Sequence, residues 1–327
     1  MLVLRALFIT LILTLTSCGK EASNSVPSPL EEWISAKDRI RVLSTTAMID
    51  DIVGRIGKDR IVHIPLISGE IDPHSYELVK GDDEKLSFAR IIFYNGLGLE
   101  HGASLRYQLE THPHAVAVGE AVKAASPDQI IYVDRQTDPH IWMDIALWSG
   151  IIPSIVEALS SVDPEGSSFY EANGDELQSQ MLEAHQLVAK DVHQVPEAKR
   201  YLVTSHDAFN YFTRAYLATS DETTQAQWQI RFEAPEGLAP DGQLGATDIQ
   251  HIVEHLSQYK INVIFAESNV SRDSLKKIIN ACERKGLTVR IAQGVLYADA
   301  MGGIGSGAET YLDMVRHDAD VLIAAWQ

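Results

Sequence analysis

Three histidines and one aspartate are the residues of this sequence whose types and settings suggest metal chemistry. His74 follows an Asp-Pro dipeptide in EIDPHSYE, and Asp-Pro-His recurs with His140 in TDPHIWMD. His206 lies in VTSHDAF, and Asp299 lies in LYADAMG. Three imidazoles and one carboxylate form a donor set that suits Zn²⁺, Mn²⁺ or Fe²⁺. Successive histidines are 66 residues apart, so spacing alone leaves isolated, solvated loop histidines as an alternative.

Alternating strand and helix patterns surround these four residues. Short apolar runs that predict strands occur at 39–46, 60–67, 90–96, 114–119, 199–205, 261–268 and 288–293. Segments with helical spacing lie between them, and one of these is expected to open at His206, directly after the strand at 199–205. This alternation predicts an α/β fold of two lobes with mostly parallel sheets. Loops after the carboxyl ends of parallel strands converge on one sheet edge, where ligands bind. If the two lobes face each other edge to edge, the four residues meet in the cleft between them.

A long amphipathic segment at 165–196 separates the two halves of the chain. Its apolar residues recur at steps of three and four, and Pro196 ends it. This pattern predicts one helix that joins an N-terminal lobe at 39–164 to a C-terminal lobe at 197–327. Gly174 costs about 1 kcal/mol relative to alanine inside a helix, so two helices meeting there are the alternative.

The N-terminus is typical of an exported protein. Residues 1–17 carry one charge, Arg5, and an apolar stretch too short to span a membrane, as in a signal peptide. The Leu-Thr-Ser-Cys sequence ending at Cys18 resembles a bacterial lipobox, which implies lipidation of Cys18; a cleaved signal with an incidental cysteine is the alternative. Residues 18–38 are predicted to be the lipidated cysteine and a flexible tether. We therefore expect an extracytoplasmic protein, in the periplasm or at the cell surface, held to a membrane by lipid.

The charge balance excludes one large class of partners. The net charge is −18, and it becomes −19 when residues 1–17, with their single arginine, are removed. A surface this acidic repels nucleic acid and anionic lipid and is compatible with attraction of cations.

Five separated motifs resemble, in order, those of the metal-specific substrate-binding lipoproteins of zinc and manganese ABC importers. The motifs are DPHSYE, DPHIWMD, VTSHDAF, FAES and LYADAMG. The resemblance extends from about residue 39 to residue 327. It implies two α/β lobes joined by a backbone helix, with one divalent transition metal ion (Zn, Mn or Fe) bound between them. It also implies delivery of that ion to an ABC permease with its ATPase subunits, and no enzymatic activity.

The same resemblance assigns roles to individual residues. It implies that His74, His140, His206 and Asp299 are the metal ligands. Glu267, in FAES, falls beside the metal, where it would orient an imidazole without binding the ion; a solvated acid at a strand end is the alternative. The stretch at 218–243 is longer than the family leads us to expect, and it receives no role.

Two other functions are weighed against metal transport. The sequence HIVEH, with His251, Glu254 and His255, matches the H-x-x-E-H spacing of one class of zinc peptidase. On the predicted helix, His251 and Glu254 point away from the apolar face, so we expect the motif to face solvent. A zinc metallohydrolase is therefore the least favoured function. A surface adhesion or interaction protein with the same fold is the other alternative.

Overall fold

The computed structural model describes residues 28–240 and 245–327. The predicted signal peptide and Cys18 lie outside the described residues. The N-terminal part contains helices α1 Pro29–Ser35, α2 Ala47–Gly57, α3 Asp82–Phe88, α4 Ala103–Thr111, α5 Val118–Ala125, α6 Ile145–Trp148 and α7 Ile152–Val162. Its strands are β1 Ile40–Ser44, β2 Ile61–Pro65, β3 Ile91–Tyr94 and β4 Ala115–Ala117, followed by β5 Tyr132–Val133 and β6 Gln136–Thr137.

The first four strands form a parallel sheet in the order β2-β1-β3-β4. Strands β5 and β6 form a small antiparallel hairpin beside it. Helix α2 returns the chain from β1 to β2, as a parallel connection requires. Its apolar residues at helical spacing, from Met48 to Ile56, are fully buried, so hydrophobic burial fixes the helix on the sheet.

Helix α8, Ser167–Val192, is continuous over 26 residues and begins after a 3₁₀ turn at Pro164–Gly166. The single connecting helix is thus confirmed, and Gly174 does not break it. A Cβ atom at Gly174 would lie 3.0 Å from a methyl group of Ile152 and of Val156 on α7. The glycine is therefore where α7 and α8 approach each other closely.

The C-terminal part contains helices α9 Asn210–Phe212, α10 Ser220–Thr224, α11 Ala246–Gln258, α12 Asp273–Arg284 and α13 Tyr311–Trp326. Its strands are β7 Leu202–Val203, β8 Phe232–Glu233, β9 Val263–Glu267 and β10 Arg290–Leu296. Strand β7 pairs in parallel with β8, and β9 pairs in parallel with β10. The predicted α/β class with mostly parallel sheets is confirmed. The stretch at 218–243, which had no predicted role, supplies β8 to this lobe.

Two local predictions are wrong. The predicted tether includes α1, a helix capped by Ser28, and Trp33 on it is buried with its indole Nε1 donating to the Val42 carbonyl at 2.9 Å. The helix expected to open at His206 begins instead at Asn210 and continues as a π-helical turn. His206 remains extended because it pairs with Glu236 beside β7 and β8.

One hydrophobic core crosses from the N-terminal part to the C-terminal part. It includes Val42 and Trp142, then Tyr170 on α8, and finally Tyr311 and Trp326 on α13. Helix α8 contacts α2 and α7 of the N-terminal part and α13 of the C-terminal part. Two smaller cores lie under the outer faces, one around α1, α3 and α4 and one between α11 and α12. The central core therefore connects the N-terminal and C-terminal lobes.

Candidate metal centre

The two Asp-Pro-His tripeptides form the same backbone turn. The backbone N–H of His74 donates to Asp72 Oδ1 at 2.8 Å, and that of His140 donates to Asp138 Oδ1 at 2.9 Å. An aspartate that accepts from the residue two positions later makes an Asx turn, which fixes the local backbone. Each Asp-Pro-His motif therefore holds its imidazole on a rigid loop, one motif for His74 and one for His140.

The other two residues are positioned by the C-terminal lobe. Glu267, the last residue of β9, accepts the backbone N–H groups of Ser205 at 2.7 Å and His206 at 2.9 Å through Oε1. Asp299 follows β10. The adjacent Ala298 carbonyl accepts the indole N–H of Trp142, in the N-terminal lobe, at 2.8 Å. His206 and Asp299 thus follow the carboxyl ends of β7 and β10, as the sequence predicts for ligand-binding loops.

The structure brings all four predicted ligands together. One ligand atom from each of His74, His140, His206 and Asp299 lies within 4.8 Å of the others, and all four residues are buried. His74 Nε2 and His140 Nε2 are 3.1 Å apart, and Asp299 lies 3.1 Å from His206 Nε2 and 3.4 Å from His140 Nε2. Ligands around a tetrahedral zinc ion at about 2.0–2.1 Å are roughly 3.3 Å from one another. The spacing of the donors therefore fits one small metal ion.

Carboxylates on the far side of the rings orient two of the imidazoles. Asp138 Oδ1 lies 2.7 Å from His140 Nδ1, and Glu267 Oε2 contacts His206 Nδ1. A carboxylate at one ring nitrogen fixes the tautomer and leaves the other nitrogen, Nε2, as the electron-pair donor. The sequence analysis did not assign this orienting role to Asp138. The motif could have indicated it, since Asp138 is the aspartate of the second Asp-Pro-His.

The charges of the centre suit a cation. Burial lowers the pKa of His74 to about 3, so this imidazole is neutral and able to bind metal at physiological pH. Burial also opposes the charge on His206, but the carboxylates of Glu267 and Asp299 outweigh it and raise the pKa of that imidazole. Burial disfavours the charge on Asp299, yet the neighbouring imidazoles, His206 foremost, hold the pKa of its carboxyl below the usual range. Three buried carboxylates next to three imidazoles thus favour a bound positive charge.

The H-x-x-E-H motif does not form a second centre of this kind. His251 and Glu254 are exposed on α11, as expected. His255 is buried beside the rings of Tyr201 and Tyr259, so the prediction that the whole motif faces solvent is wrong at this residue. Across the described residues, the buried four-residue cluster is the one group of metal-binding side chains that meets within 4.8 Å.

A two-lobe α/β fold with a buried cluster of three histidines and one aspartate between the lobes defines a metal-binding protein of the substrate-binding class. The chain belongs to the family described as the periplasmic component A of the zinc-uptake complex, which residues 42–325 match. The family resemblance deduced from the five motifs is confirmed. This family consists of transport proteins that bind a substrate.

The relatives of the chain cover most of its length. The metal-binding protein YtgA of Chlamydia trachomatis is 40% identical over 264 residues, 81% of each chain. Its Fe(III)-bound crystal structure matches with a TM-score of 0.82 and 36% identity, covering 87% of this chain and 97% of that one. The manganese-binding lipoprotein MntA of Bacillus subtilis is 30% identical over 314 residues, 95% of this chain and 94% of that one. The periplasmic zinc-binding protein TroA of Treponema pallidum matches with a TM-score of 0.78 and 30% identity, covering 87% and 98%.

Proposed function

We propose that the protein binds one divalent transition metal ion, Zn²⁺, Mn²⁺ or Fe²⁺, and delivers it to an ABC permease for import. The observation that carries the proposal is the buried cluster of three imidazole nitrogens and one carboxylate, whose donor atoms lie within 4.8 Å of one another. Relatives named for manganese and zinc support two of these ions. A solved relative with bound Fe(III) supports iron as the element, in its trivalent state.

In this function His74, His140, His206 and Asp299 are the ligands of the transported ion. Glu267 and Asp138 do not bind the ion but orient His206 and His140 through their Nδ1 atoms. Four protein donors complete a tetrahedral sphere and leave no place for an activated water, in contrast to a catalytic zinc centre. The ion is therefore cargo, and its release requires a change in the protein.

The proposal includes how the protein is held near its transporter. Lipidation at Cys18 would anchor it outside the cytoplasmic membrane, beside a permease that works with ATPase subunits. Two lobes, 39–164 and 197–327, would present the ion from the cleft between them, with the helix at 165–196 as the support. The manganese-binding relative is itself named a lipoprotein, which supports the anchor.

Metal titration of two ligand variants tests the site. His74→Ala and His206→Ala each remove one of four donors, and we expect each to lower the affinity for Zn²⁺ or Mn²⁺ by more than about 100-fold, beyond the 10–100-fold typical of an orienting partner. His114→Ala, which removes an exposed imidazole, is the matched control and keeps the native affinity. Calorimetry of the metal-free protein measures all three. Native affinity in both ligand variants would refute the site.

A further inference from the structure

The metal cluster is almost closed to solvent, and one of its members marks the open side. The side chains of His140, His206 and Asp299 are 0% exposed, whereas that of His74 is 2% exposed. An ion that reaches these donors without a large opening of the lobes therefore passes His74 first.

A cavity of about 590 Å³ lies on this side and reaches His74. Its other lining residues come from four places: the loop after β3, helix α5, the β5–β6 hairpin with the residue two positions after it, and residues 237–239 of the C-terminal lobe. They include Leu97, His101, Glu120, Thr137 and Leu238. The cavity thus connects solvent to the outermost ligand, and its lining contains one further imidazole, His101, and two carboxylates, Glu120 and Asp134.

The further imidazole, His101, is close enough to His74 to share an ion with it. The ring centroids of His74 and His101 are 5.7 Å apart. The centroid distances from His74 to its two partners in the cluster are 5.2 Å to His140 and 6.3 Å to His206. The spacing of His101 therefore falls within the range shown by imidazoles that meet at one centre. His101 is partly buried in the wall of the cavity, whereas the members of the cluster are fully enclosed.

We propose that His101 and His74 form an outer capture site through which the metal ion enters and leaves the buried centre. The ion exchanges solvent water for the two imidazoles, and then exchanges His101 for His140, His206 and Asp299 while His74 stays bound. Asp134, exposed in the same cavity, adds negative charge that attracts the cation, whereas the charge of Glu120 is partly offset by Lys123 at 3.9 Å. This inference rests on the proposed function, because it concerns the route of the same ion.

Metal-exchange kinetics of the full chain test the proposal with Zn²⁺ as the probe. Stopped-flow mixing gives the association rate constant, and mixing the loaded protein with excess chelator gives the dissociation rate constant. A ligand used only during passage lowers the barrier in both directions. We therefore expect His101→Ala to slow both steps about tenfold and to leave the Kd within about twofold of the native value. His101→Gln, which keeps a polar side chain without the imidazole, gives the same result.

The outcomes separate this proposal from the proposed function. His114→Ala is the kinetic control and changes neither rate. Native rates in both His101 variants would overturn the capture site. Faster dissociation with a weakened Kd would overturn it too, because His101 would then be a ligand of the resident ion. Failure of the metal site itself would appear separately, as native affinity in both His74→Ala and His206→Ala.

Discussion

At the scale of single residues, the two Asp-Pro-His motifs share a turn but differ in what their aspartates do next. Asp72 accepts the hydroxyl of Ser75 at 2.7 Å, which is a local contact. Asp138 lies 2.7 Å from His140 Nδ1 and accepts the side-chain amide of Asn210, from the other lobe, at 3.0 Å. Only Asp138 therefore contacts the ring of its histidine, where it can strengthen the electron-pair donation of that imidazole to a metal ion.

The two aspartates give a matched pair of substitutions. We expect Asp138→Asn to lower metal affinity about 10- to 100-fold, because the neutral amide no longer raises the basicity of His140. Asp72→Asn should have a much smaller effect, since the amide oxygen still accepts the backbone N–H of His74. Titration of both variants with Zn²⁺ measures the difference, and equal losses would show that the turn alone matters.

His255 gives a prediction about pH and stability. Burial, with a smaller contribution from His251, lowers the pKa of His255 to about 4 from its ordinary 6.5. Glu233, 3.8 Å from its Nδ1, and the rings of Tyr201 and Tyr259 surround it.

Because the unfolded chain takes up this proton first, stability is lost as the pH falls from about 6.5 towards 4. The loss attributable to His255 is at most about 3 kcal/mol in the free energy of unfolding. His255→Phe should remove this part of the pH dependence. Urea unfolding of both proteins at pH 7 and pH 4.5 tests it, and identical pH dependence would contradict a neutral buried His255.

At the scale of elements, hydrophobic periodicity accounts for what the sequence predicted well. Helix α2 and strands β1, β3 and β9 each combine an apolar pattern with burial, and the pattern is local. The position of Asp299 and the histidines in loops after parallel strands was expected from the strand pattern. That all four residues bind the same ion was implied by the family motifs and could not be obtained from their spacing in the sequence.

The missed elements depend on contacts between distant residues. His206 does not open a helix because it forms a parallel bridge with Glu236, 30 residues later in the chain. Helix α1 exists as a docked element because Trp33 reaches the Val42 carbonyl. A polar, proline-containing segment predicts a tether unless such a contact is known. Local propensity was outweighed in both places by tertiary structure.

The packing of α7 on α8 gives a prediction at this scale. Gly174→Val would add a branched side chain at a position where even a Cβ atom would lie only 3.0 Å from the side chains of Ile152 and Val156. We expect a loss of about 1–3 kcal/mol in the free energy of unfolding from overpacking. Ala172→Val, at an exposed position of the same helix, is the control and should cost less than about 1 kcal/mol from helix propensity. Urea denaturation measures both, and equal losses would contradict a close α7–α8 contact.

At the scale of the whole molecule, the two lobes are joined by buried hydrogen bonds as well as by α8. Trp142 donates its indole N–H to the Ala298 carbonyl, and its own carbonyl accepts the hydroxyl of Tyr311 at 2.6 Å. The hydroxyl of Tyr211 donates to the Asp138 carbonyl at 3.0 Å. These bonds lie next to the ligands, inside the core that crosses both lobes. Separating the lobes would leave their polar groups unpaired in a buried interface.

The described residues should therefore unfold as one cooperative unit even without metal. The five tryptophans are distributed over both halves of the chain, so their fluorescence reports on each lobe. We expect the fluorescence and far-ultraviolet circular dichroism of the metal-free protein to give one coincident urea transition.

Trp142→Phe, which removes the bond to Ala298, should lower the free energy of unfolding by about 1–3 kcal/mol because the Ala298 carbonyl is left unpaired. The transition should remain single, since the hydrophobic core still connects the lobes. Two separated transitions in the native chain would mean that the lobes are independent domains and that α8 merely links them.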